Sequence, residues 1–198
     1  LTLVAAGASA AESLRMPEPS GWRVIDRLDA PHVRIQRFAI PLEAGGVETV
    51  RFEWFEPPLA HPDPLALARQ VAARVRGACP GLADHGVFAG EENGYPTVVR
   101  LLVCPRVERR ADASATARGE LLMLKAVQGE QGFWLALRSR RIDPGDADGA
   151  SEEPSTGLPV PESVMARWSG FMRGIEVCDP DDPAHPCSGD DGAAADGG

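Results

Sequence analysis

The chain has 198 residues, 43% of them hydrophobic, and carries a formal net charge of -9 at pH 7. That length supplies one sizeable core and one domain. The negative balance argues against nucleic acid as a partner. After the first residues no apolar run approaches the ~18 residues of a membrane span.

The first segment, LTLVAAGASAAES, has an apolar run from Leu1 to Ala6 followed by Ala8-Ser9-Ala10. Small residues at that spacing match a secretory cleavage site, so residues 1–10 are expected to be the remnant of a signal peptide. Export implies a periplasmic or secreted protein in a compartment where disulfides persist. The domain is expected over residues 20–178, followed by an acidic disordered tail over 179–198.

His32 to Ile40 and Val47 to Glu56 read as strands, the second alternating Val50, Phe52 and Trp54 with Thr49, Arg51 and Glu53. Glu43-Ala44-Gly45-Gly46 makes the turn between them. Pro64 to Arg76 reads as a helix with an apolar stripe of Leu65, Ala68, Val71, Ala72 and Val75. Asp63 is placed to cap it, Pro64 suits its first position, and Gly77 marks its end.

Asp84 to Gly90 and Tyr95 to Cys104 follow as strands, joined at Asn93-Gly94, a pair suited to the positive φ angles of a tight turn. Tyr95 to Cys104 is apolar on both faces and is expected inside a sheet. Gly119 to Gln128 and Gly132 to Ile142 form a hairpin across Gly129-Glu130-Gln131. Residues 141–159 are rich in Gly, Pro, Ser and acids and read as a mobile loop. Pro161 to Ile175 places Val164, Trp168, Phe171 and Ile175 on one helical face.

The elements therefore run ββαββββα. Four consecutive strands joined by short turns favour a meander, and the economical fold is α+β: an antiparallel sheet of about six strands with two helices, an α/β/α sandwich.

Four cysteines in an exported chain suggest two bridges with three possible pairings. Cys178 and Cys187 flank the proline-rich turn CDPDDPAHPC and are paired with each other. Cys79 and Cys104 form the longer-range bridge, worth about 3 kcal/mol in the chain-entropy model. The histidines His32, His61, His85 and His185 are scattered and no CxxC spacing occurs, which disfavours a metal site.

This element order, a Gly21-Trp22 lead-in, and a last helix running into FMRGIEVC resemble the PsbP-like α/β/α sandwich superfamily over residues 21–178. That superfamily includes exported photosystem-associated and bacterial periplasmic proteins. The segments ENGYP, LLVCP and KAVQG resemble an uncharacterised set of proteobacterial exported proteins. The resemblance implies a fold and export, and no activity.

No catalytic residue is assigned. A G-x-S-x-G elbow is missing, and Ser169 falls within the last helix. Placing Gly149 at the sixth position of a calcium loop puts Pro144 first and Ser155 twelfth, so both essential carboxylates are absent. The acidic residues Asp179, Asp181 and Asp182 read as a solvated loop. No cofactor is expected. Trp54, Phe55, Trp134, Trp168 and Phe171 read as core, with a pocket under the last helix as the alternative.

Charge is uneven: residues 1–99 carry -3, residues 100–142 carry +5, and residues 143–198 carry -11. In the basic segment Arg100, Arg138, Arg140 and Arg141 are candidate binding residues, with Arg106, Arg109 and Arg110 nearby in sequence. Alternation places Arg138 and Arg140 on one face and Arg141 on the other. Such a cluster suits a small anionic ligand or an acidic protein partner in the cell envelope. The expected function is a non-enzymatic periplasmic binding or assembly-assisting protein. The alternative is a small-molecule sensor or degenerate enzyme with an apolar pocket under the last helix.

Overall fold

Two antiparallel meanders meet edge to edge to make the central sheet. In chain order the elements are β1 (Ser13–Arg15), β2 (Arg23–Ala30), β3 (Val33–Pro41), β4 (Val47–Phe55), α1 (Pro64–Ala78), β5 (Ala83–Glu92), β6 (Tyr95–Cys104), β7 (Gly119–Gln128), β8 (Phe133–Ile142), α2 (Glu162–Arg173) and β9 (Glu176–Cys178). The computed structural model describes residues 12–17, 21–42, 46–56, 63–79, 81–105, 119–142 and 160–187. Residues 1–10, expected to be a signal remnant, the Glu43-Ala44-Gly45 part of the expected turn, Arg106, Arg109 and Arg110, residues 143–159 of the expected loop and residues 188–198 of the expected tail lie outside the described residues.

The sheet order is β2-β3-β4-β8-β7-β6-β5, so β4 and β8 join the two meanders. The α+β fold expected from the sequence is the one observed, with seven strands in the sheet instead of about six. The added strand is β2. Its exposed side chains and a register shift between Val24 and Asp26 break the apolar alternation that signals a strand. A separate two-stranded pair, β1 with β9, joins the two ends of the described fold.

Strand alternation separates two cores. Leu101, Val103, Leu121, Met123 and Ala136 pack under α2 with Trp168, Phe171 and Met172. The alternate residues Val98, Leu124, Ala126 and Leu135 pack under α1 with Leu67 and Ala68. The helices thus cover opposite faces. Helix α1 begins as expected: Asp63 Oδ1 accepts the Ala66 N–H at 2.5 Å, and Pro64 fills the first turn. Its most buried residues are Pro64, Leu67, Ala68 and Ala72, a stripe centred closer to Leu67 than the sequence pattern indicated. The expected stripe of Val164, Trp168, Phe171 and Ile175 is buried throughout, with Ile175 lying just past the end of α2.

Both bridges form as paired from sequence, Cys79 with Cys104 and Cys178 with Cys187. The first ties the end of α1 to the end of β6. The second closes a turn over 179–187, so the ordered chain continues beyond the residue-178 boundary drawn from the sequence. Asp179 N–H donates to the His185 carbonyl at 2.9 Å inside that turn.

The β5–β6 turn has Asn93 at φ 52° and Gly94 at φ 77°, the positive angles expected of it. It is also a docking platform. Asn93 Nδ2 donates to the Val177 carbonyl at 3.0 Å, and the His185 ring lies so close to Gly94 that a Cβ there would approach it to 2.7 Å. The same imidazole stacks on Tyr95 with centroids 4.1 Å apart.

Candidate functional site

Arg100, Arg138, Arg140 and Arg141 do not assemble into one surface. Arg100 lies on the α1 face, where Nε donates to Asp84 Oδ1 at 3.2 Å and Nη1 to the Ala68 carbonyl at 3.2 Å. Its Nη2 also pairs with the Asp84 carboxylate. Asp84 is held below the ordinary aspartate range, first by the Arg100 hydrogen bond and further by the Gly86 N–H.

Arg138 lies on the opposite face, under α2, paired with Glu48. Its guanidinium sits 4.6 Å from the Phe171 ring centroid and 5.2 Å from that of Trp168. Burial lowers its pKa, and Glu48 opposes that shift. Arg100 and Arg138 are therefore corrected from candidate surface contacts to buried ion-pair partners. Arg140 is half-buried on the Arg138 face, whereas Arg141 is exposed on the other. The signal missed was long-range: Glu48 stands opposite Arg140 and diagonal to Arg138 across the β4–β8 pair.

Sequence reasoning also passed over Lys125, which is 1% exposed. Its Nζ donates to the Met172 and Ile175 carbonyls at 2.9 and 2.6 Å and pairs with Glu92. A buried ammonium thus caps the negative end of α2. Glu53, on the α1 face beside Arg51, has its pKa raised chiefly by burial.

On the α2 side of the sheet the described residues line a groove and a second hollow. The first is an open groove of about 540 Å³ between α2 and β5. Val99, Leu101 and Met123 form its floor, Met165 and Met172 one wall, and Phe88 the other. Helix α2 stops short of β5, which leaves Phe88 70% exposed although its strand neighbour Val99 packs against the core. At the rim are His85, Ser169, Arg173 and Glu92, the last already paired with Lys125. Ser169, which falls within the last helix as expected, lines this groove.

The second hollow, about 470 Å³, lies over β2, β3 and β4 beside β1. Trp54 and Trp134 meet there with centroids 5.7 Å apart, and the Arg34 guanidinium covers Trp54 at 4.4 Å. Trp168 and Phe171 are buried core residues, and Phe55 packs beside the α1 core. The aromatic set expected to be core is therefore divided between packing and this hollow.

No helix of the described residues is long and apolar enough to cross a membrane. No family model matches the chain, and no curated protein does. Among solved structures, the Ran-binding protein Mog1p of Saccharomyces cerevisiae aligns over 86% of this chain and 97% of its own, at 10% identity and a TM-score of 0.51. LpqN of Mycobacterium tuberculosis, involved in cell envelope biogenesis, aligns over 87% of each chain at 12% identity and a TM-score of 0.46. A protein of unknown function from Pseudomonas aeruginosa, PA94, aligns over 73% of this chain and 99% of its own, at 13% identity and a TM-score of 0.41. At 10% identity the likeness to Mog1p is one of fold.

Proposed function

We propose that the chain is a non-enzymatic binding protein of an extracytoplasmic compartment, with the groove beside α2 as its contact surface. The observation that carries this reading is the groove itself: about 540 Å³, floored by core residues and left open beside a 70% exposed Phe88. Its size and apolar lining with a few polar rim groups are those of a small-molecule site. Two disulfides support an oxidising location. The PsbP-like and proteobacterial assignments belong to the same proposal and rest on the sequence resemblance.

The test compares the native protein with Phe88→Asp by non-denaturing mass spectrometry after purification from the oxidising compartment. The native chain should carry bound apolar ligand and the variant should be bare, with melting temperatures within a few degrees. Equal loading of both would refute the groove as the contact surface.

A protein-binding reading is favoured by the β2 edge, where Val24, Ile25 and Leu28 are 53%, 50% and 47% exposed. Mog1p is a Ran-binding protein, and an exposed strand edge is a surface to which a protein partner can add a strand. Exposed Arg141 remains the candidate contact for an acidic partner, with Arg140 beside it in sequence.

A further inference from the structure

We infer that the groove binds a single-chain anionic amphiphile, with the acyl chain along the methionine-lined trough and the head group at Arg173 and His85; this rests on the groove being the contact surface. Three features of the site select that chemistry.

The body of the trough offers a ligand almost nothing to hydrogen-bond. Its floor and walls are Val99, Leu101, Met123, Met165, Met172 and Phe88. A ligand with polar groups along its length would lose their hydration without replacement. Met123, Met165 and Met172 are unbranched and polarizable, so they conform to a flexible alkyl chain better than to one fixed ring shape. Each methylene removed from water there contributes about 0.8 kcal/mol.

The rim, by contrast, has charge of one sign available. Glu92 is already paired with Lys125. Arg173 is exposed at the C-terminal end of α2, and neither its side chain nor that of His85 makes a hydrogen bond or ion pair among the described residues. Their position is unusual in a chain of net charge -9, where carboxylates are in excess. Ser169 adds a hydroxyl one turn before Arg173 on the same helix. A carboxylate or phosphate head can pair with the unpartnered Arg173, which would repel a quaternary ammonium.

The third feature is rigidity behind the site. Lys125 fixes the end of α2 through the Met172 and Ile175 carbonyls, and Met172 is itself a wall residue. The trough wall is therefore held in place before any ligand arrives, which reduces the ordering cost of binding.

The test uses the full chain and the fluorescent probe 11-(dansylamino)undecanoic acid, displaced by dodecanoate, dodecyl maltoside or dodecyltrimethylammonium. The three competitors share a chain and differ in head charge. Dodecanoate should displace the probe about tenfold more effectively than the ammonium compound, the size of one charge-assisted hydrogen bond. Arg173→Gln should abolish that preference and leave dodecyl maltoside unchanged. Met165→Asp should weaken all three, and Phe88→Asp, at an exposed edge position, serves where the helix variant fails to fold.

Equal displacement by all three heads, or a preference that survives Arg173→Gln, overturns the head-group assignment while leaving the groove reading intact. If no competitor displaces the probe and Phe88→Asp changes nothing, both fall. Flotation with phosphatidylglycerol vesicles separates the sources of the ligand chemistry. Binding to intact vesicles without displacement of the probe overturns the single-chain ligand in favour of a bilayer surface.

Discussion

Replacing Arg138 by Met tests whether this arginine serves the fold or a partner. Glu48 is 1% exposed and would lose the guanidinium with which it pairs. Arg167 would remain, with Nη2 3.5 Å from Glu48 Oε2, but its side chain is half-exposed and gives weaker compensation. Breaking a buried pair by removing one partner costs about 3–5 kcal/mol. The residual Arg167 contact and the new sulfur–aromatic contact with Phe171 place the expected loss near the lower end, about 3 kcal/mol. With a urea slope of about 2 kcal/mol per molar, the unfolding midpoint should fall by about 1.5 M.

Tryptophan fluorescence is a suitable readout, since Trp168 is buried beside the pair. The double variant Glu48→Leu/Arg138→Met should recover most of the loss, because both charges then leave the interior together. A single-variant cost below about 1 kcal/mol would refute the reasoning, as would a double variant as unstable as the two singles added. Arg141→Ala is the control, expected within about 0.5 kcal/mol of the native protein.

Lys125→Met should destabilise by about 2–4 kcal/mol, because it leaves the Met172 and Ile175 carbonyls without their donor; unchanged hydrogen exchange at the end of α2 would contradict the capping role. Asp84 has a lowered pKa in the folded state, so its contribution is complete above the ordinary aspartate value of about 3.9 and is lost as pH falls through the folded value. Asp84→Asn should accordingly flatten the acid limb of the melting temperature against pH, and an unaltered limb would exclude this linkage. Serine at both Cys79 and Cys104 should cost about 3 kcal/mol in chemical denaturation. The shorter Cys178–Cys187 loop, nine residues apart against 25, should cost roughly 1 kcal/mol less, and a reversed order would show that chain entropy is not the governing term.

Local physics made much of the fold legible. The Asp63-Pro64 start of α1, the Asn93-Gly94 turn and the α2 stripe each depend on neighbours a few residues away. Strand β2 was hidden because it lies at an edge with both faces largely open, so burial never imposed an alternating pattern on it. The buried ions were hidden for a different reason. A charge in a strand reads as the solvent face until its partner is placed, and Lys125 meets carbonyls 47 and 50 residues later. The groove has the same origin: Phe88 looks like a core residue in sequence, and only the lateral position of α2 leaves it uncovered.

The pairing of β1 with β9 bears on the order in which the chain acquires structure. Ser13 Oγ donates to the Cys178 carbonyl across 165 residues of sequence, and Leu14 packs beside the α2 core. Until the region around Cys178 is present, β1 has no strand to add to, and Leu14 has no finished surface to cover. Closure of this pair is therefore a late, high-contact-order event. A chain threaded N-terminus first through a narrow pore would remain without this clasp until Cys178 had followed Ser13 through, and the fold would lock only on the far side.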